Sequence, residues 1–131
     1  MTRHFERQHY SVIFDTHSGF FARAEDAGWP EPSWAESGPE LMDIGITNWC
    51  DRGCECCYRR SHPNGVHMEV SDYRTVVRQA ARLGVLQVAL GGGNPNQHPC
   101  FAEIVACTRD EYGIVPSYFY SIALVLEVFG F

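Results

Sequence analysis

Four of the six cysteines of this chain lie in one short segment, which reads CDRGCECC over residues 50–57. Cys50, Cys54 and Cys57 are separated by spacers of three and two residues. An iron–sulfur cluster needs several thiolates that converge on neighbouring irons, and one tightly curled loop can supply them. Gly53 would let such a loop turn without steric cost. Three thiolates on a four-iron cluster leave one iron open to a small molecule that binds through nitrogen and oxygen.

A structural zinc site is the main alternative for the same cysteines. Such a site is closed by four ligands, and Cys56 or one of His62, His67 and His98 could supply the fourth. The cysteines by themselves leave both metals open. A redox dithiol is disfavoured, because the cysteines form no clean C-x-x-C pair in an oxidoreductase context.

A second motif, Gly91-Gly92-Gly93-Asn94-Pro95, follows a predicted strand over residues 85–90. Ligands of parallel sheets bind beyond the carboxyl ends of the strands. The cysteine segment follows another predicted strand, residues 41–47, so both motifs should emerge at one edge, on strands about 4.8 Å apart. A molecule bound to an open iron would then lie against bare glycine backbone. The motif is not a Walker loop, because no Gly-Lys-Ser/Thr follows and the chain has no Lys.

The elements around these motifs alternate between strands and helices. We predict a helix from an N-cap at Ser71 to Gly84, a second helix over residues 99–112 and a third strand over residues 114–118. Cys100 and Cys107 fall on the second helix, where we interpret them as small buried apolar residues. The order predicts parallel strands joined by helical crossovers. Before them, residues 10–23 predict a β-hairpin, and the Pro- and Gly-rich residues 28–39 predict a connector.

Composition narrows the class of protein. The chain has 131 residues, 45% of them hydrophobic, which allows one packed domain. Its net charge of -6 disfavours general nucleic-acid binding, which needs a basic surface. No signal peptide is visible, and the apolar residues 119–131 are too few for a membrane span, which takes about 20 residues. We therefore expect a cytoplasmic protein with no membrane contact, in which cysteines serve metal binding or catalysis.

Together these residues resemble the radical S-adenosylmethionine (SAM) superfamily. The cysteine spacing matches its cluster motif, residues 92–95 look like its GGE motif with the following proline, and residues 98–105 are similar to the helix start that follows. The resemblance covers residues 40–118. It implies an α/β fold, a partial (βα) barrel of which only the first two to three βα units are present, preceded by the N-terminal β-hairpin.

The resemblance also implies the cofactors and their ligands. Cys50, Cys54 and Cys57 would ligate a [4Fe–4S] cluster, and SAM would chelate its open iron. Gly91, Gly92, Gly93 and Asn94 would line the methionine end of SAM, while Cys56 and Tyr58 would lie near its adenine; core packing is the simpler interpretation of Tyr58. Two residues depart from the family pattern: Cys56 replaces a usual aromatic residue and Asn94 a frequent Glu.

The implied activity is reductive cleavage of SAM to a 5′-deoxyadenosyl radical, which abstracts hydrogen from an unidentified substrate, for which a peptide is one candidate class. No catalytic residue is assigned. His62, His67 and His98 could act on the substrate side as acids or bases, and Arg59 and Arg60 could meet an anionic substrate. Surface histidines and a solvated arginine pair are the simpler interpretations.

The length of the chain limits how much of the family core it can contain. We divide the chain into a hairpin and connector (residues 1–39), the front of the core (residues 40–118) and an atypical apolar tail (residues 119–131). The family core holds six βα units, more than this chain has room for, so we expect a truncated chain whose tail is foreign to the family and whose own status as an enzyme stays open. We also expect weak stability unless a second chain completes the barrel. A non-enzymatic zinc module and an inactive remnant remain the alternatives.

Overall fold

Two three-stranded sheets organise residues 1–30 and 38–118, the part of the chain that the computed structural model describes. The first sheet is antiparallel and contains β1 (Thr2–Phe5), β2 (Tyr10–Phe14) and β3 (Phe21–Glu25). The second is parallel, in the order β4 (Leu41–Thr47), β5 (Gln87–Gly92) and β6 (Val115–Tyr118). Its strands are connected through α1 (Val70–Arg82) and α2 (Phe101–Ala106). The alternating βα order is therefore confirmed as an α/β fold, and the described residues form no closed barrel.

Both helices pack on one face of the parallel sheet. Side chains alternate along a strand, so one set of β4 and β5 residues faces the helices and the other set faces away. The core set is apolar and comprises Ile44, Ile46, Val88 and Leu90 of the strands with Tyr73, Val77, Ala80, Ile104 and Cys107 of the helical segments. In the middle of β4 and β5 the opposite set is small or polar and comprises Asp43, Gly45, Ala89 and Gly91. Within the described residues no helix covers this second face, which we call the helix-free face.

The antiparallel sheet covers the amino ends of the parallel strands. Phe5, Tyr10, Val12 and Phe14 form a second buried cluster with Leu86 and Val115, the residues that precede β5 and begin β6. The Tyr10 hydroxyl donates a hydrogen bond to Glu40, just before β4, at 2.7 Å. This arrangement leaves the carboxyl ends of the parallel strands, where the cysteine and glycine motifs lie, at the other end of the sheet.

The N-terminal hairpin prediction is confirmed, but the hairpin is part of a larger sheet. β1 adds a third strand, which the short run Thr2–Phe5 did not signal. The turn between β2 and β3 forms because the Asp15 carboxylate accepts hydrogen bonds from the backbone N–H groups of His17 and Ser18, at 3.1 and 3.2 Å. Predictions for the connector at residues 31–37 and for the tail at residues 119–131 lie outside the described residues.

The predicted helices shift at their ends. α1 begins at Val70 with Glu69 in the cap position, so the prediction of Ser71 as N-cap was wrong, whereas Gly84 ends the helix in a left-handed conformation (φ +78°) as predicted. The second helix continues beyond Ala106 only as a wider, π-type turn, Cys107–Glu111. The Thr108 hydroxyl donates to the Ile104 carbonyl at 2.6 Å and so competes with the regular helical bond. Cys107 is buried as expected, and Cys100 is half-buried.

No helix in residues 1–30 and 38–118 combines the length and the apolar character that crossing a bilayer requires.

Candidate functional site

The glycine motif is hydrogen-bonded to the residues that lead into the cysteine segment, at the carboxyl edge of the parallel sheet. Gly93 N–H donates to the Thr47 carbonyl at 2.8 Å, and Asn94 N–H donates to the Trp49 carbonyl at 3.1 Å. Thr47 is the last residue of β4, and Trp49 immediately precedes Cys50. The predicted juxtaposition of the two motifs is therefore present in the structure.

This close approach requires glycine at two of the three positions. A Cβ added to Gly92 would lie far inside 3.0 Å of the Thr47 carbonyl oxygen, and Gly92 has a φ of +122°. A Cβ added to Gly93 would collide with the Trp49 carbonyl oxygen and lie 3.2 Å from the Cys50 Cβ. The β4–β5 register slips between Gly45 and Thr47, a bulge of the kind found beside functional sites, and it sets Gly92 opposite Thr47.

Gly91 differs from its two neighbours. An added Cβ at Gly91 would meet nothing within 4 Å. Gly91 instead borders a cavity of about 250 Å³ on the helix-free face. Of the three glycines predicted to line a ligand, Gly92 packs against Thr47 at the end of β4, Gly93 packs against Trp49 and Cys50, and Gly91 borders open space.

The segment before Cys50 is also held from its other side. Cys50 N–H donates to the His62 carbonyl at 3.2 Å, and Asn48 N–H donates to the Val66 carbonyl at 2.8 Å. The Met68 N–H extends this contact to the Ile46 carbonyl at 2.8 Å. Cys50 therefore sits between the glycine bend and the returning loop, and its backbone position is fixed by both.

The cysteine loop itself is open to solvent. Cys50 and Cys57 are half-buried, whereas Cys54 and Cys56 are exposed. Gly53 adopts the left-handed conformation (φ +54°) that the tight turn requires. Hydrogen bonds from the backbone N–H groups of Ser61 and Arg59 lower the pKa of the Cys57 thiol and so favour its thiolate form, the form that binds metals.

Among the described residues, no three His, Cys, Asp or Glu side chains are gathered into a group that could hold a metal ion. The loop carries four thiols; the three predicted ligands Cys50, Cys54 and Cys57 are close together in sequence and anchored at Cys50, but their sulfurs are not assembled as a chelate. The donor chemistry fits a thiolate-bound cluster, and binding one requires the loop to draw the other two sulfurs toward Cys50.

The buried side chain of Asn94 tests independently whether this site fits a polar ligand. Its side chain is only 4% exposed, yet neither its Oδ1 nor its Nδ2 has a hydrogen-bond partner. An unpaired buried amide costs about 1–3 kcal/mol, and natural structures leave few of them. Asn94 immediately follows the glycine bend, so its unpaired amide fits a polar ligand at this edge of the sheet.

The histidines divide into structural and available groups. His98 is 5% exposed, and both its ring nitrogens are engaged: Nδ1 accepts from Cys100 N–H at 3.0 Å, so Nε2 carries the proton that it donates to the Met68 carbonyl at 2.9 Å. His98 thus has no lone pair left for a metal. His67 is half-buried with Nδ1 paired to the Thr47 hydroxyl at 2.8 Å. His62 is exposed, and its Nδ1 accepts from Asn64 N–H.

Tyr58 is 90% exposed, so the simpler interpretation of core packing was wrong. It borders the same 250 Å³ cavity as Gly91 and Gly92. Cys56 is exposed in the loop between Gly53 and this cavity wall.

Sequence reasoning missed two features of the site. Gln97, in the short 3₁₀ turn after Asn94, donates from Nε2 to the Asp51 carboxylate at 2.9 Å and ties that turn to the cysteine loop. No local pattern predicts a contact over 46 residues. The second feature is the close approach of the Arg59 side chain to Gly45 in β4. The sequence did contain a signal for it, because a glycine inside an otherwise bulky strand often marks a close approach.

Comparison with known proteins identifies relatives for part of the chain. The sequence model of the Radical SAM superfamily matches residues 44–128. The PqqA peptide cyclase of Gluconobacter oxydans is 32% identical over 78 residues, covering 56% of this chain and 21% of that protein. A probable GTP 3′,8-cyclase of Pyrococcus abyssi is 32% identical over 69 residues, 52% of this chain and 22% of the cyclase. A probable GTP 3′,8-cyclase of Methanocaldococcus jannaschii is 28% identical over 72 residues, which cover 53% of this chain and 24% of that cyclase.

The chain thus spans roughly a fifth to a quarter of the length of these curated relatives. No solved structure gives a significant match.

Proposed function

The chain belongs to the radical SAM superfamily, and on that premise we propose that it binds a [4Fe–4S] cluster and S-adenosylmethionine for hydrogen abstraction from a substrate. When bound and reduced, the cluster supplies the electron that cleaves SAM to methionine and a 5′-deoxyadenosyl radical. The protein's part is to bind, orient and shield these groups.

One observation carries the proposal: the Gly92-Gly93 bend packs on the backbone that leads into Cys50. Any side chain at Gly93 would disturb Cys50, which supports a site in which the glycine bend and the first of the proposed cluster ligands act together. A structural zinc loop needs its own four ligands but no such neighbour.

The residues take the following roles in the proposal. Cys50, Cys54 and Cys57 hold the cluster, and the lowered pKa of Cys57 favours its thiolate. The unpaired Asn94 carbonyl accepts a hydrogen bond from the SAM ammonium, a neutral replacement for the carboxylate common in the family. Gly91 and Tyr58 offer the cavity wall for the rest of SAM.

We further propose that the parallel sheet is part of a (βα) barrel, with the helix-free face turned inward. Both helices lie on the opposite face, as the outer layer of such a barrel requires. The relatives are named for cyclisation of a peptide and of GTP. A peptide and a nucleotide are therefore the two substrate classes to examine first.

The test is anaerobic reconstitution of the full chain with iron and sulfide. We expect a brown protein that binds iron and releases 5′-deoxyadenosine from SAM when a reductant is added. Cys50→Ala, Cys54→Ala and Cys57→Ala should each lose the colour and most of the iron. Cys56→Ala and Cys100→Ala are the matched controls, and both should keep the iron.

Equal iron loss in Cys56→Ala would contradict the ligand assignment. A colourless chain that binds one zinc per molecule and no iron would favour the zinc module instead. A chain that binds neither metal would favour the inactive remnant.

A further inference from the structure

We propose that Arg59 forms an anion-binding site on the helix-free face, which takes a carboxylate or phosphate group of the substrate. That the anion belongs to a substrate rests on the proposed function, whereas the anion site itself rests only on the contacts of Arg59. Two adjacent arginines, Arg59 and Arg60, follow the cysteine loop and are both exposed, but only Arg59 lies against the parallel sheet.

The Arg59 guanidinium lies across the backbone of Gly45 in the middle of β4. A Cβ added to Gly45 would overlap the Nη2 atom of Arg59 and lie 3.3 Å from its Cζ. Gly45 is half-buried and belongs to the helix-free face, opposite Gly91 on β5. The absence of a side chain at Gly45 therefore leaves room for a guanidinium against the sheet itself.

Arg59 also borders two cavities. One has a volume of about 250 Å³ and is shared with Asp43, Tyr58 and Gly91. The other has a volume of about 520 Å³ and is shared with Thr47 and His67. Arg60 borders neither cavity. The guanidinium thus stands where a ligand on the helix-free face would meet it.

The charge of Arg59 is not neutralised within residues 1–30 and 38–118. No hydrogen bond or ion pair to its guanidinium exists among them. Asp43 borders the smaller of its two cavities and Asp72 the larger, but neither carboxylate is within ion-pair distance of the guanidinium. By contrast, Arg74 on α1 pairs with both Glu103 and Glu111. In a chain with a net charge of -6, an unpaired arginine in a groove is available for an external anion.

The chemistry of the side chain defines the ligand class. A guanidinium presents five donors in a planar fork, which matches two oxygens of a carboxylate or a phosphate. SAM also carries a carboxylate, so the anion could belong to SAM or to the substrate. The site is proposed for the substrate because the larger cavity is lined by β4, residues 66–68 and Asp72 of α1, and by no residue of the glycine motif that is proposed to hold SAM.

Arginine modification with phenylglyoxal, read residue by residue by mass spectrometry, tests the site in the full chain without cluster. Inorganic pyrophosphate is the anion probe. At roughly ten times its dissociation constant, pyrophosphate should slow the modification of Arg59 about tenfold and leave the rate at Arg60 unchanged. Equal protection of both arginines, or none at either, would overturn the site.

Gly45→Ala provides a second variant that keeps Arg59 in place. Its added methyl meets only the flexible end of the Arg59 side chain, so the fold should persist while the guanidinium leaves the groove. Pyrophosphate protection at Arg59 should then disappear. Persistent tenfold protection in Gly45→Ala would show that the groove is not the site and would refute the assignment.

A parallel experiment with SAM in place of pyrophosphate separates the two sources of the anion. Protection of Arg59 by pyrophosphate but not by SAM supports the substrate site, and protection by SAM alone overturns it. Because no step needs the cluster, failed iron reconstitution with intact pyrophosphate protection would refute the proposed function and leave the anion site standing. Normal iron reconstitution without pyrophosphate protection of Arg59 would refute the anion site and leave the proposed function standing.

Discussion

Replacing Gly93 by alanine should damage the cysteine loop far more than the same replacement at Gly91, although the two positions are only two residues apart. The new methyl at Gly93 collides with the Trp49 carbonyl oxygen, which must retreat by roughly 1 Å to reach a separation of 3.0 Å. The Cys50 Cβ, 3.2 Å from the added atom, must also give way. At Gly91 the methyl meets open space.

The magnitude follows from the contacts that are strained. Overpacking costs about 1–3 kcal/mol. Weakening of the Gly93–Thr47 and Asn94–Trp49 hydrogen bonds adds about 1 kcal/mol. We therefore expect Gly93→Ala to lower the free energy of unfolding by about 2–4 kcal/mol. Gly91→Ala should change it by less than about 1 kcal/mol, in the stabilising direction, because alanine restricts the unfolded chain.

Urea unfolding followed by circular dichroism measures the stability difference, and iron bound per chain after anaerobic reconstitution measures the effect on the loop. Gly93→Ala should bind less iron than the wild-type chain, because Cys50 is displaced, while Gly91→Ala should bind as much. Equal stability and equal iron in the two variants would refute the claim that the glycine bend positions Cys50.

Three further predictions concern the titration of Tyr10 and of the Cys57 thiol and the packing of Ile104. Burial, and then the hydrogen bond to Glu40, raise the pKa of Tyr10 to about 12. Because the folded chain favours the neutral phenol, the free energy of unfolding should be constant below pH 10. It should fall between pH 10 and pH 12, by up to about 1.4 kcal/mol per pH unit. Urea midpoints across this range measure the fall, which Tyr10→Phe should reduce. Iodoacetamide should alkylate Cys57, whose thiol pKa is lowered, at a lower pH than Cys107, whose thiol pKa burial raises; the reverse order in peptide mass spectra would contradict the hydrogen bonds to Cys57. Ile104→Ala should cost about 2–5 kcal/mol in urea unfolding, because Ile104 is fully buried between α2 and the sheet, and a loss below 1 kcal/mol would mean that this helix does not pack as described.

The positions of the motifs could be predicted from the sequence because local rules determine them. Strands that end in a cysteine segment and in a glycine run must present both at the carboxyl edge of a parallel sheet. The spacing of Tyr73 and Val77 predicted the buried face of α1, and Gly84 predicted its end.

Local rules did not predict the end of the second helix or strand β1, because contacts with distant parts of the chain determine both. Thr108 widened the second helix because its hydroxyl reaches both the Ile104 carbonyl and the buried Tyr73 hydroxyl, and the second contact joins two helices. β1 was missed because four residues carry too weak a period, and pairing with β2 and contact with Leu86 stabilise it.

By itself the sequence determined the types of the candidate ligands, their spacing and the edge of the sheet at which they lie, since these follow from residue chemistry and the order of strands and helices. Only the tertiary structure decided which glycine contacts Cys50, which histidine is already saturated and which of two adjacent arginines lies on the sheet. Those distinctions depend on contacts between segments tens of residues apart. Such contacts are set by packing, which no local pattern encodes.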